Sequence, residues 1–212
     1  MSQLTPEDLR KEDQFELLAE VEHSQIKQFI LDQITPEVRL VRWFSAYQVA
    51  MITLFVFLLV KAILLAARAM NDALLWIGLS VVFSFTVLIV LHELLHALAY
   101  WFTGARKLKV GAIWKKFVFY VVADRQVIDA RSFRLVAYAP LVGVKLLCLA
   151  LGLFFWSSPS AYFFFSIMCI HSLFCAGDVA MLAFYQIHAD REIYNYDDVS
   201  TGKSFFYVRK ES

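Results

Sequence analysis

Four long apolar runs, at about 46–66, 73–102, 133–156 and 161–187, constrain this chain more than any other feature. Each reaches the roughly 20 residues that a helix needs to cross about 30 Å of hydrocarbon. The fold class expected from them is an all-α polytopic membrane protein with four transmembrane helices. Composition agrees: 60 % of the residues are hydrophobic and 18 % charged, and the mean hydropathy is +0.60. The second and fourth runs exceed the bilayer thickness, so they tilt or protrude. With a net charge of +1 and no recognisable motif, no nucleic-acid partner is expected.

Charge sets the orientation. The connection between the second and third runs carries Arg106, Lys107, Lys109, Lys115, Lys116, Arg125, Arg131 and Arg134. Arg39 and Arg42 precede the first run, and Arg191 follows the last. Four crossings put all of these on one side, which the positive-inside rule assigns to the cytoplasm. A multi-pass protein of the cell membrane with both termini cytoplasmic is expected.

Residues 1–44 read as a cytoplasmic amphipathic helical segment. Thr5-Pro6-Glu7-Asp8 is a helix-start signal. Phe15, Leu18, Val21, Ile26, Phe29 and Ile30 then follow at roughly helical spacing. Thr35-Pro36-Glu37 repeats the start signal before the first run. This opening stretch is polar and acidic where a secretory leader would be apolar, so no signal peptide is expected. Val110–Trp114 and Phe117–Val122, rich in β-branched and aromatic residues around Lys115-Lys116, predict a small cytoplasmic β-hairpin. Residues 188–212 read as a cytoplasmic tail with short strands at Tyr194–Tyr196 and Ser204–Val208. Cys148, Cys169 and Cys175 all fall in apolar segments, without metal or disulfide spacing, and read as small buried hydrophobes.

Within the second run lies His92-Glu93-Leu94-Leu95-His96, an H-E-x-x-H pattern. On a helix, residues four apart share a face, so both imidazoles can hold one metal ion, and Glu93 is placed to act on its water. Zinc suits this donor set. Ionisable residues at membrane depth are costly and mark function. The competing reading makes the two histidines hydrogen-bonded packing residues between helices.

A catalytic zinc usually has three protein ligands. His92 and His96 lie 19 and 23 residues into their run, and Asp178 lies 17 residues into the fourth, so their depths match. Asp178 is therefore the expected third ligand. His171 sits about 10 Å farther out and would line the cavity to meet substrate or water, or replace Asp178 as ligand. Lys145, mid-membrane in the third run, would stabilise a developing oxyanion or pair structurally. Pro140 should kink or loosen that helix at the metal's depth, and Gly177 should let helices approach closely.

With this motif on one span and Asp178 on a later one, the chain resembles intramembrane metalloproteases of the site-2 protease type. It departs from them in Ala139-Pro140 followed by Gly143 and Lys145, and in Ala176-Gly177-Asp178-Val179. More closely, it resembles a bacterial family of small four-span membrane proteins described as putative zincin peptidases. The resemblance rests on His92–His96, the segment His171–Asp178, and a tail with Asp197 or Asp198 before Gly202-Lys203-Ser204-Phe205. It spans roughly Ala46–Val208 and implies membrane-protein or signal-peptide substrates.

The expected function is zinc-dependent hydrolysis of peptide bonds at or inside the membrane, with Glu93 as base. A non-catalytic metal-binding membrane scaffold or regulator, and a small metal or ion transporter, are the alternatives.

Overall fold

The structure, a computed structural model, describes residues 4–35, 37–113 and 118–210. In chain order the elements are α1 (Pro6–Leu9), β1 (Phe15–Glu22), α2 (Ile26–Asp32), α3 (Arg39–Ala66), α4 (Asp72–Ser84), α5 (Val87–Phe102), β2 (Leu108–Ile113) and β3 (Val118–Ala123). There follow β4 (Ile128–Asp129), α6 (Ala130–Phe154), α7 (Ala161–Phe174), α8 (Ala176–Ile187), β5 (Ile193–Asp198) and β6 (Lys203–Arg209). Pro36 and residues 114–117, which include the Trp114 and Phe117 strand ends expected from sequence, lie outside the described residues.

The all-α, four-span expectation is corrected by two antiparallel sheets. One has four strands in the order β1-β6-β5-β4, and the other pairs β2 with β3. The N-terminal amphipathic helix is likewise corrected: of the stretch Phe15–Asp32 only Ile26–Asp32 is helical, whereas Phe15–Glu22 is a strand paired to β6. A bulge between Leu17 and Ala19 explains the misreading. An extra residue shifts the pleat by one, so Phe15 faces Leu9, Tyr196 and Tyr207 on one side of the sheet. Val21 faces Phe184, Tyr185 and Phe206 on the other. Bulged alternation therefore placed apolar residues at spacings that mimic a helix.

Two helices, α3 and α6, are each long and apolar enough to cross a membrane among the described residues. The other two expected spans are broken: α4 and α5 meet at a 51° bend, α7 and α8 at 45°. Counting each bent pair as one span gives up to four crossings. The first break contains neither proline nor glycine. Instead Ser80, Ser84 and Thr86 donate their hydroxyls back to the carbonyls of Ile77, Ser80 and Val82. Such back-bonding competes with the helical ladder and bends helices. Near the second break, Gln48 from α3 donates to the Ser172 carbonyl at 2.5 Å.

Surface chemistry supports a bilayer. The outer face of α3 exposes Val49, Ile52, Val56, Phe57, Val60 and Leu64, an apolar stripe too large for water. Inside, Leu88, Val144, Cys148, Ile167 and Met168 pack α5, α6 and α7 together. The four-stranded sheet sits at the β4–α6 and α8–β5 junctions, held by Phe206 against Phe29, Phe184 and Tyr185.

Candidate metal centre

Residues Leu88, His92, His96 and Ala99 form the buried stripe of α5, while Leu91, Leu94 and Leu98 face outward. Helical periodicity thus turns both histidines inward. The break before α8 places Asp178 in that helix's first turn, opposite them. His92 Nε2 and His96 Nε2 stand 3.1 Å apart. Asp178 Oδ2 is 3.4 Å from His92 Nε2, and Oδ1 is 3.3 Å from His96 Nε2. Two nitrogen ligands at 2.0–2.1 Å from one tetrahedral zinc would be about 3.3 Å apart. The spacing therefore fits one shared ion.

Hydrogen bonds aim the donors. His96 Nδ1 lies 3.0 Å from the Val136 carbonyl. A carbonyl only accepts, so Nδ1 carries the hydrogen and the neutral ring presents a bare Nε2 to the centre. That carbonyl is free because Pro140, four residues on, has no N–H to offer it. His92 Nδ1 lies 3.0 Å from His171 Nε2, and Cys175 Sγ lies 3.6 Å from His171 Nδ1. With Nδ1 of His92 donating, its Nε2 is also a bare lone pair. Two such nitrogens facing a carboxylate whose Oδ2 is buried without a hydrogen bond among the described residues is an arrangement that a cation satisfies.

Glu93 lies one residue round and joins the three donors in lining a cavity of about 870 Å³. The Val121 main chain on β3 is within hydrogen-bond reach of its carboxylate. The cavity's remaining walls are mostly apolar, with α2, β3, α6 and β5–β6 contributing.

The other sequence candidates fall elsewhere. His171 is fully buried behind His92, not on the cavity wall, where it is placed to orient the His92 ring. It forms a second metal-capable group with His92 and Cys175, though His92 is shared with the first. Lys145 is not on the cavity wall: its ammonium bonds the Met168 carbonyl and lies 5.2 Å above the Tyr47 ring. That is a structural tie between helices, and the oxyanion role has no support in its position. A Cβ at Gly177 would meet nothing within 4 Å, so this glycine borders the cavity and makes no close helix contact. Sequence reading missed Val136, whose contribution is a main-chain carbonyl, and Cys175, which was taken for a plain hydrophobe.

No curated protein and no solved structure matches this chain. A family model described as putative zincin peptidase matches residues 85–194, which include the histidine pair, Glu93 and Asp178. That family implies zinc, and the donor set fits it. With just over half of its 212 residues matched, the chain belongs to the family described as putative zincin peptidase.

Proposed function

We propose that this protein is a zinc-dependent endopeptidase that cleaves membrane-embedded or membrane-proximal segments near the cytoplasmic face, in the manner of site-2 proteases. The observation that carries the reading is the convergence of His92, His96 and Asp178 beside Glu93 on one cavity wall. His92, His96 and Asp178 would hold the ion. Bound zinc would polarise the scissile carbonyl and make its water acidic enough to attack near neutral pH. Glu93 would take the proton of the attacking water and hand it to the departing amine.

The chain's own main chain supports substrate placement. β3 pairs with β2 along one edge and approaches Glu93 at Val121. An extended segment laid along β3 would present its carbonyl to the centre, as strand addition does elsewhere. Single-span membrane proteins and remnant signal peptides are the substrates that fit, since both must unwind locally to be cut.

Replacing Glu93 with Gln in purified protein tests the reading. Zinc content should be retained, at about one ion per chain, while cleavage of a single-span reporter falls by at least about 10³-fold. Cleavage that survives this variant would remove the enzyme assignment and leave a metal-binding scaffold.

A further inference from the structure

The cavity has a second polar wall, on the sheet side. In β5, alternation turns Asn195 and Asp197 to the cavity, while Tyr194, Tyr196 and Asp198 face the other way. The register sets Asp197 opposite Ser204 of β6, whose hydroxyl donates to Asp197 Oδ1 at 2.5 Å. His23, just after β1, is held by its N–H to the Gly202 carbonyl at 2.8 Å. Its Nε2 lies 3.9 Å from Asp197 Oδ1 and has no hydrogen-bond partner among the described residues. All three side chains line the same cavity as the metal donors.

Asp197 is only 9 % exposed, yet among the described residues no lysine or arginine pairs with it. Arg125, the nearby cation, pairs with Asp198 at 3.8 Å instead. Asp124 bridges to the Asp197 main chain and adds negative charge. Burial first, and Asp124 after it, hold the Asp197 carboxyl above its usual range, against the pull of Ser204 and His23. A buried carboxylate without a cation is costly, and this one faces a cavity whose walls are mostly apolar.

We infer that Asp197, seated by Ser204 and flanked by His23, is a subsite for one ammonium or guanidinium group of the substrate peptide. This rests on the peptidase reading and specifies its substrate class. An apolar stretch followed by lysine or arginine is what the cytoplasmic boundary of a membrane span presents. Away from the metal donors and Glu93, the cavity pairs apolar walls with the carboxylate of Asp197, and so matches that boundary.

The test uses full-length zinc-loaded protein in micelles, with Glu93→Gln to prevent turnover. Fluorescence anisotropy measures binding of labelled apolar peptides in which one lysine, or norleucine as control, is scanned along the chain. At one position lysine should bind at least tenfold more tightly than norleucine. Asp197→Asn should bring that ratio to one while leaving the norleucine affinity unchanged, and His23→Gln, which keeps the carboxylate, should preserve it. Equal affinities at every position in the Asp197 protein, or a preference that survives Asp197→Asn, overturns the subsite. If neither peptide binds zinc-loaded protein, the subsite falls together with the peptidase reading. If the Glu93 enzyme cleaves lysine and norleucine peptides equally well, the subsite alone falls.

Discussion

Pro140 acts on the metal centre without touching it. By withholding one N–H it leaves the Val136 carbonyl to orient His96. Pro140→Ala supplies that N–H, and the helical ladder then competes for the carbonyl. Zinc affinity should fall about 10–100-fold, the usual cost of losing an outer-shell partner, with helix content retained. Chelator competition against circular dichroism measures both. Asp197 makes a second residue-scale case. An acid whose folded pKa is raised supports the fold while protonated and loses that support as pH rises through the folded value. Asp197→Asn should therefore melt higher than the parent at pH 7, with the gap closing as pH falls into the raised titration range. Thermal unfolding followed from pH 7 to pH 4 checks this. A stability gain from removing a cavity-facing charge would itself mark a residue kept for binding.

Among the elements, the four-stranded sheet ties both ends of the chain to the helices. Its key side chain is Phe206, 2 % exposed, with rings of Phe29, Phe184 and Tyr185 around it. Phe206→Ala should cost about 3–5 kcal/mol in denaturant unfolding. It should also lower peptide binding, because β6 carries Ser204 on the cavity face. The helical elements were legible from apolar length alone. Their breaks were not, since Ser84 and Thr86 look unremarkable in an apolar run until their back-bonds are seen. β1 was misread because a bulge disguised its period, and its partner strand lies at the other end of the chain.

For the whole molecule, four crossings require each bent pair to count as one span. Cysteines introduced at Asn71 and Ser158, in the links α3–α4 and α6–α7, should then react with impermeant reagents only from outside. One at Lys210 should react only from the cytoplasm. Labelling of the Ser158 variant from the cytoplasmic side, with Asn71 still reached only from outside, would make the bent pairs re-entrant and leave α3 and α6 as the crossings.

The sequence by itself determined that the chain carries runs long and apolar enough to cross a bilayer. It also brought His92, Glu93, His96 and Asp178 together, because helical periodicity and equal depth are local properties. The tertiary structure alone decided what surrounds them. Val136 of α6 serves His96 of α5 through a carbonyl that Pro140 leaves free, and His171 stands directly behind His92, although depth along the fourth run had set it about 10 Å farther out. Asp197 rather than Asp198 faces the cavity because sheet register and pleat choose between neighbours. Those outcomes depend on contacts between elements far apart in the chain, which spacing along one element does not encode.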